Sequence, residues 1–214
     1  DIGKPVFSPV RIFDAIQGFI EIGADKKPVY LFNGDWYVFD QKYTQLLGEE
    51  FDRRYSEYLE RSVPIKTYFD LVFPSKDEMD YNKKLKKNPK ICVAHCVFLS
   101  NVELADAIFW DENCVYLIHN KRKFSGSGVR DLTNQIQTSA DYIQKIRLSI
   151  DRNSIIEEYY QKLLHNDPSI ASRVDLDMLT SLLLSKPLVY IAGYIDSYRI
   201  NAESTYAKYL TIET

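Results

Sequence analysis

The chain has 214 residues, of which 45% are hydrophobic and 14% aromatic, so it carries enough apolar surface to bury a core. Its formal net charge of −3 excludes a general basic field that would attract nucleic acid to the whole surface. No apolar run is long enough for a membrane span, no signal peptide is visible, and three cysteines are too few for a disulfide framework. We therefore expect a cytoplasmic protein.

The first predicted elements are a helix and a hairpin. Apolar side chains three and four residues apart predict an amphipathic helix over residues 11–22. Asn33-Gly34 predicts a two-residue turn between strands at residues 29–32 and 36–39, because a tight hairpin turn needs positive φ angles.

Two helices are expected next. Asp40 can cap a helix that runs to Leu59, and Ser75 can cap a shorter helix over residues 77–87. A β-rich segment follows at residues 91–99. The inward face of the longer helix is predicted to carry Tyr43, Leu46, Leu47, Phe51 and Tyr55.

The second half alternates strands with helices. Residues 105–110 and 114–120 resemble paired strands, and residues 128–150 form a long amphipathic helix whose apolar stripe ends at Ile150. Later elements are helices at 155–164 and 176–184 and a buried strand at 188–194. This mixed order predicts an α/β or α+β fold, with a central mixed sheet flanked by helices. We expect a single domain over residues 1–214, whole or as a piece of a longer protein.

A strand, a glycine-serine loop and a helix N-terminus succeed one another after residue 118. His119 and Lys121 lie two residues apart and so share one face of the sheet. Arg122, Ser125 and Ser127 follow, in a loop that presents backbone N–H groups at the positive end of a helix dipole. The pattern predicts a phosphate-binding site. The alternative is a solvated loop with a serine N-cap.

Carboxylates precede this strand. Glu103 precedes the previous strand and Asp106 lies near its start, and antiparallel pairing would bring Asp106 and Lys121 to the same end of the sheet. Carboxylates beside a lysine suit a Mg²⁺ site for phosphodiester cleavage, in which the metal activates water and the ammonium stabilises developing charge. The alternative is that both carboxylates cap strands and meet solvent.

Lysines are concentrated just before the β-rich segment. Lys83 and Lys84 begin a run that contains five lysines by Lys90, a pattern typical either of contact with a nucleic-acid backbone or of a solvated helix face. Cys92, His95 and Cys96 suggest zinc, but in a strand His95 would face away from both thiols. We therefore expect the cysteines to be small buried hydrophobic residues.

Residues 103–141 resemble a sporadically distributed bacterial family of uncharacterised proteins, which is often linked with mobile or defence loci. The matching residues are Glu103, Asp106, His119, Lys121, Arg122, Ser127, Leu132, Gln135, Ser139 and Ala140. Upstream, the hairpin around Trp36 and the element that contains Glu78 also resemble that family. Arg130 and Asp131 depart from it, because the family favours Ser-His there.

The order of a glutamate on a helix, an aspartate on a strand, a strand with a lysine and a helix with a glutamine is similar to the PD-(D/E)xK nuclease superfamily. The resemblance implies a restriction-endonuclease-like core and metal-dependent cleavage of nucleic acid. His119 stands where that superfamily has a carboxylate, and imidazole is a poorer Mg²⁺ ligand. Either Mn²⁺ is used, or Glu103 and Glu78 supply ligands, or binding remains without catalysis.

The expected function is therefore a Mg²⁺- or Mn²⁺-dependent nuclease that acts on DNA or RNA, with a role in antiviral defence. Its expected metal ligands are Asp106 with Glu103 or Glu78, and Lys121 stabilises the transition state. His119 is a ligand or proton carrier, and phosphate or water is oriented by Gln135, Ser127, Ser125, Arg122, Lys83 and Lys84.

Two alternatives stay open. One is a non-catalytic module of a defence protein that binds or senses nucleic acid, and the other is a structural subunit that binds only protein. Besides nucleic acid, the expected partners are a second copy of the chain or a partner domain, and no membrane contact is expected.

Overall fold

A computed structural model describes the chain over residues 18–22, 27–32, 34–69, 75, 77–122 and 124–194. The first three strands form an antiparallel sheet in chain order: β1 (Gly18–Ile22), β2 (Lys27–Phe32) and β3 (Asp35–Val38). The predicted hairpin is confirmed, because Phe32 pairs with Asp35 across the turn. Gly34 has a φ angle of 84°, which explains the need for glycine at this position.

The predicted helix over residues 11–22 is wrong at its C-terminal end, where residues 18–22 form β1. Gly18 pairs with Leu31 and Ile22 pairs with Lys27, so this segment gains a full ladder with β2. Such pairing depends on residues that are distant in sequence, which the local spacing of apolar side chains does not reveal. Residues 11–17 lie outside the described residues.

The described α-helices are α1 (Gln41–Phe69), α2 (Glu78–Leu85), α3 (Gly126–Leu148), α4 (Arg152–Asn166) and α5 (Leu176–Ser185). A short 3-10 helix, Pro168–Ser172, links the last two. Asp40 caps α1 as predicted, since its carboxylate accepts a hydrogen bond of 2.7 Å from the Lys42 amide. Helix α2 is capped by Asp77 instead of Ser75, through a hydrogen bond of 2.8 Å from the Asp80 amide.

The buried faces of two helices are shorter than predicted. On α1, Leu47 and Phe51 are buried, whereas Tyr43 and Leu46 are exposed. Helix α3 ends at Leu148, and Ile150, expected on its buried stripe, is 97% exposed. The chain leaves the helix at Ser149, which has an extended ψ angle of 145°, so the next residue no longer follows the helical stripe.

Six further strands are described: β4 (Ile91–Val93), β5 (Phe98–Leu99), β6 (Val102–Glu103), β7 (Ala107–Trp110), β8 (Val115–Lys121) and β9 (Leu188–Tyr194). The central sheet has the order β4-β7-β8-β9, while β5 and β6 form a small hairpin of their own. Strand β7 is antiparallel to both β4 and β8, and β9 is parallel to β8. This mixed sheet with flanking helices confirms the predicted α/β class.

Helices cover both faces of the central sheet. Alternate residues of β8 face opposite sides: Leu117 joins a core with Ile143 of α3, and Ile118 packs with Tyr81 and Leu85 of α2. Helices α3, α4 and α5 therefore cover one face, and α2 lies on the other. None of the described helices is both long and apolar enough to cross a membrane.

The carboxyl ends of β8 and β9 lie side by side, and this edge depends on a close contact. Asn120 pairs with Gly193, and a Cβ atom at Gly193 would overlap the Asn120 side-chain oxygen. Asn120 is buried, so it has little room to move away. A glycine is thus required here for steric reasons.

We predict that Gly193→Ala lowers the free energy of unfolding by about 1–3 kcal/mol, as overpacked sites typically do. Gly18→Ala is the matched control in another strand, because its Cβ would lie 3.8 Å from the Leu31 Cβ, an ordinary contact. Urea denaturation of both variants measures the difference. Equal stability of the two variants would contradict the proposed overlap.

Candidate functional site

Asp106 ties together three segments at the end of the central sheet. Its backbone N–H donates to the Ile118 carbonyl at 2.9 Å, and its carbonyl accepts from the Ala94 amide at 2.8 Å. One oxygen of its carboxylate accepts a hydrogen bond of 2.7 Å from the backbone amide of Asn120, and the other oxygen lies 2.7 Å from Nδ1 of His95. The residue is 2% exposed, so these contacts replace the water that would otherwise solvate the carboxylate.

His95 lies between two carboxylates. Besides its contact with Asp106, its Nδ1 lies 3.7 Å from a carboxylate oxygen of Glu103. The same Glu103 oxygen accepts a hydrogen bond of 2.5 Å from the Cys96 amide. An ionised carboxylate only accepts hydrogen bonds, so Nδ1 is the donor in a contact with ionised Asp106. In the neutral form of the ring, the lone pair then lies on Nε2.

Two turns bring Glu103 beside Cys96. Cys96 has a φ angle of 60°, in the left-handed region, and this turns the chain sharply after β4. Ser100 and Asn101 have φ angles of 49° and 66°, as in the tight turns that join two-stranded hairpins. The resulting β5-β6 hairpin pairs Phe98 with Glu103, which places the glutamate next to the turn at residues 95–96.

A tyrosine lies fully buried in the core near these groups. Tyr159 is 0% exposed, and its hydroxyl has no hydrogen-bond partner among the described residues. Burial raises its pKa well above the usual value, and negative charge on Cys92, Glu103 and Asp106 adds to this effect. The phenol therefore stays neutral and supplies no charge to the site.

His119 lies on β8 opposite Asp106 but is completely enclosed. It is 0% exposed, and neither ring nitrogen has a hydrogen-bond partner among the described residues. The centroid of its ring lies 6.5 Å from the centroid of the Tyr190 ring. The nearby Leu104 carbonyl accepts a hydrogen bond of 2.7 Å from the Ser139 hydroxyl. Burial is the largest influence on His119 and lowers its pKa below the usual value of 6.5.

Lys121 and Gln135 lie on β8 and on α3, the helix that follows it. Lys121 is the last residue of β8 and is half-buried, and Arg122 follows it on the exposed surface. Gln135 lies one turn before Ser139 on α3, and its side-chain oxygen is buried without a hydrogen-bond partner within the described part of the chain. Gln135 and Ser139 therefore belong to the helix that covers the His119 face.

The serine loop forms an ordinary helix start. Ser125 is the N-cap of α3, and its hydroxyl accepts a hydrogen bond of 3.1 Å from the Gly128 amide. The Ser127 hydroxyl is exposed and lies 3.4 Å from that of Ser125. The capping role, the alternative to a phosphate site, is thus present at Ser125.

The predicted residues of α2 lie on the other face of the sheet from Gln135. Lys83 is exposed, and the Lys84 ammonium forms an ion pair of 2.8 Å with Asp80. Glu78 is the first residue of α2, and its side chain lies outside the described residues. The predicted phosphate-binding lysines are therefore separated from Gln135 by the sheet.

Of the predicted site residues, the structure brings Glu103 and Asp106 into one cluster through His95. His119 and Lys121 come from the strand beside it, with His119 enclosed and Lys121 at the rim. This end of the sheet, with the cluster and Lys121, is the candidate site.

Comparison with protein families gives one finding. A family model described as a family of unknown function (DUF6119) matches residues 3–168. The chain belongs to this family. No curated protein and no solved structure matches it. Membership confirms the resemblance to an uncharacterised family.

Sequence reasoning missed His95 as a site residue and was wrong about Cys96. Cys92 is buried as expected, but Cys96 is exposed and lies in a turn, so it does not share a strand face with Cys92. The signal available was the pair Ser100-Asn101, since a tight turn there folds Glu103 back toward residues 95–96.

We predict that His119 makes stability fall as the pH falls. Because its folded-state pKa is lowered, the unfolded chain takes up a proton below about pH 6.5 that the folded chain does not bind, which favours unfolding. For His119→Leu, the loss of unfolding free energy between about pH 7.5 and pH 5 should be smaller than in the parent, by up to about 1.4 kcal/mol per pH unit.

Urea denaturation in EDTA measures this difference. His165→Leu serves as the control, because His165 is exposed. If His119→Leu keeps the full pH dependence of the parent, the histidine does not titrate as described.

Proposed function

We propose that this protein hydrolyses phosphodiester bonds in DNA or RNA with the help of a divalent cation, at the sheet end that carries His95, Glu103, Asp106 and Lys121. The observation that carries this proposal is the buried carboxylate of Asp106, which holds the partly exposed His95 ring next to Glu103. The order in the chain further supports a restriction-endonuclease-like core: a glutamate on α2, Asp106 just before β7, Lys121 at the end of β8, and Gln135 on α3.

Each residue has a distinct part in the proposal. Asp106 is a positioning residue, because its hydrogen bond to Nδ1 fixes the tautomer and orientation of His95. Nε2 of that tautomer can take a proton or bind a cation. Lys121 provides an ammonium at the rim that neutralises phosphate charge. His119 is enclosed and is given no contact with substrate.

The donors present suit some divalent cations better than others. Both carboxylate oxygens of Asp106 are engaged in the contacts described, and Glu103 stands beside an imidazole. Mg²⁺ prefers a shell of oxygen atoms, whereas later first-row cations also accept imidazole nitrogen. The set therefore fits Mn²⁺ or a later divalent cation better than Mg²⁺. When bound, such a cation polarises the phosphate and makes water more acidic.

We predict that Lys121→Ala and Glu103→Gln each reduce nucleic-acid cleavage about 100-fold or more. Lys121→Ala removes a positive charge that stabilises the transition state, and Glu103→Gln removes a negative charge that would help to hold the cation. The measurement is the single-turnover rate on labelled single-stranded and duplex DNA and RNA with Mn²⁺. Far-UV circular dichroism checks that both variants fold.

Matched controls are Lys145→Ala and Glu157→Gln, since both residues are exposed on helices α3 and α4, which cover one face of the central sheet. They should cleave at the parent rate. Cleavage that survives Lys121→Ala unchanged, or that persists in EDTA, would contradict the assignment.

The exposed lysines of α2 and the turn after it favour a second candidate, a module that binds nucleic acid without cleaving it. Lys83 and Lys87 are exposed and have no ion pair within the described residues, whereas Lys84 pairs with Asp80. Phosphate contacts by such lysines release counterions and so make affinity depend on salt.

For this second candidate we test the double variant Lys83→Gln with Lys87→Gln on duplex DNA. We predict that the slope of the logarithm of the association constant against the logarithm of the salt concentration becomes less steep by about 1.8, if each lysine neutralises one phosphate. Fluorescence anisotropy at several salt concentrations measures the slope. Lys42→Gln with Lys145→Gln is the control pair, both exposed on other helices. An unchanged slope in the first pair would remove α2 and the turn after it from the interface.

A further inference from the structure

We propose that His95, Cys96 and Glu103 bind a divalent transition-metal cation of the zinc class through nitrogen, sulfur and oxygen donors. One ring nitrogen of His95, the Cys96 sulfur and a Glu103 carboxylate oxygen all lie within 4.8 Å of one another. The inference rests on the proposed function for the position of the cation, and it adds a thiolate ligand and with it a different class of metal.

The spacing of the donors is close to that of a bound ion. Zn²⁺ bonds of about 2.0–2.3 Å place neighbouring tetrahedral donors roughly 3.5 Å apart. Donors within 4.8 Å reach this spacing when side chains move by about 1 Å. Cys96 lies in a turn and is exposed, so rotation of its short side chain requires no change in the core.

The backbone holds the thiol and the carboxylate in the same small unit. Cys96 has a left-handed φ angle of 60°, a conformation that glycine and asparagine adopt far more readily than cysteine. Its amide donates to Glu103 at 2.5 Å, so the turn and the β5-β6 hairpin are tied together. A non-glycine residue in this region that is held by its surroundings is typical of a functional position.

The local charge favours a cation. The side chains of Glu103 and Asp106 are only 12% and 3% exposed, and both lie beside the single imidazole of His95. The nearby ammonium of Lys162 donates to the Phe98 carbonyl at 3.1 Å and pairs with Glu158 at 2.7 Å. A divalent cation at the cluster would neutralise the excess of buried carboxylate charge.

Asp106 fits the role of an orienting partner for a metal-bound histidine. Metal-binding histidines usually donate their other ring N–H to a carboxylate. Asp106, 2.7 Å from His95 Nδ1, fills this role when Nε2 is the ligand. Three protein donors leave a fourth position for water or a phosphate oxygen, as in catalytic zinc sites. The exposed Cys96 also lines a groove of about 650 Å³ along α4.

Cobalt provides a direct spectroscopic test. The chain is stripped of metal with a chelator, reduced and titrated with Co²⁺. We expect saturation at one ion per chain, visible ligand-field bands, and a near-ultraviolet charge-transfer band from a thiolate bound to cobalt. Zn²⁺ should displace Co²⁺, and a large excess of Mg²⁺ should not.

Variants assign the ligands. Cys96→Ser should abolish the charge-transfer band, and His95→Gln should weaken Co²⁺ binding at least about tenfold. Asp106→Asn should weaken binding about 10–100-fold while the band remains, because it acts through the orientation of His95. Cys114→Ser is the matched control outside the cluster and should bind like the parent.

Two results would overturn the inference: Co²⁺ binding without a thiolate band, or a band that persists in Cys96→Ser. Circular dichroism of each variant separates loss of a ligand from loss of folding. The spectrum is recorded without substrate, so absent nuclease activity would contradict the proposed function but not the metal site. Conversely, Mn²⁺-dependent cleavage by Cys96→Ser at the parent rate, with no thiolate band in the parent, would preserve the function and remove the zinc-class site.

Discussion

The carboxylate of Asp106 is the interaction on which the candidate site depends. It is almost fully buried, and it joins the turn after β4, the start of β7 and the end of β8 through side-chain and backbone hydrogen bonds. A buried carboxylate is tolerated only when such partners replace water, and removing the carboxylate would leave the Asn120 amide without its acceptor. The position of His95 therefore depends on the hydrogen bonds of Asp106 that join these three segments.

Because Asp106 is buried, the two acidic residues of the cluster have different roles. Asp106 forms hydrogen bonds with its neighbours, so a ligand would contact groups nearer the surface. Glu103 and His95 are at that boundary, and Lys121 is the last residue of β8. Rigid strands and a tight hairpin therefore carry the site, and such supports fix side chains more accurately than a long loop would.

Local signals made much of the fold predictable from sequence. Asn33-Gly34 predicted a hairpin, Asp40 predicted a helix start, and β-rich runs predicted the paired strands β7 and β8. The last strand β9 was predicted in place, but it is an edge strand of the described sheet and is only partly buried, whereas a buried strand was predicted. Strand β1 was not predictable in this way, because its conformation depends on pairing with β2. The contact between His95 and Asp106 was not predicted, for a similar reason. It depends on the left-handed backbone conformation of Cys96 and on the β5-β6 hairpin, which lies between the two residues in sequence.

His119 stands where the PD-(D/E)xK superfamily has a carboxylate, and its burial gives a physical reason for this difference. The residue is fully buried beneath α3, where an ionised carboxylate without partners would carry a large desolvation cost. Imidazole avoids that cost by remaining neutral, which is the direction in which burial moves the His119 pKa. For the proposed metal-dependent activity, the donors are therefore expected at positions other than residue 119. The segment at residues 95–103 offers a nitrogen, a sulfur and a carboxylate at the same end of the sheet.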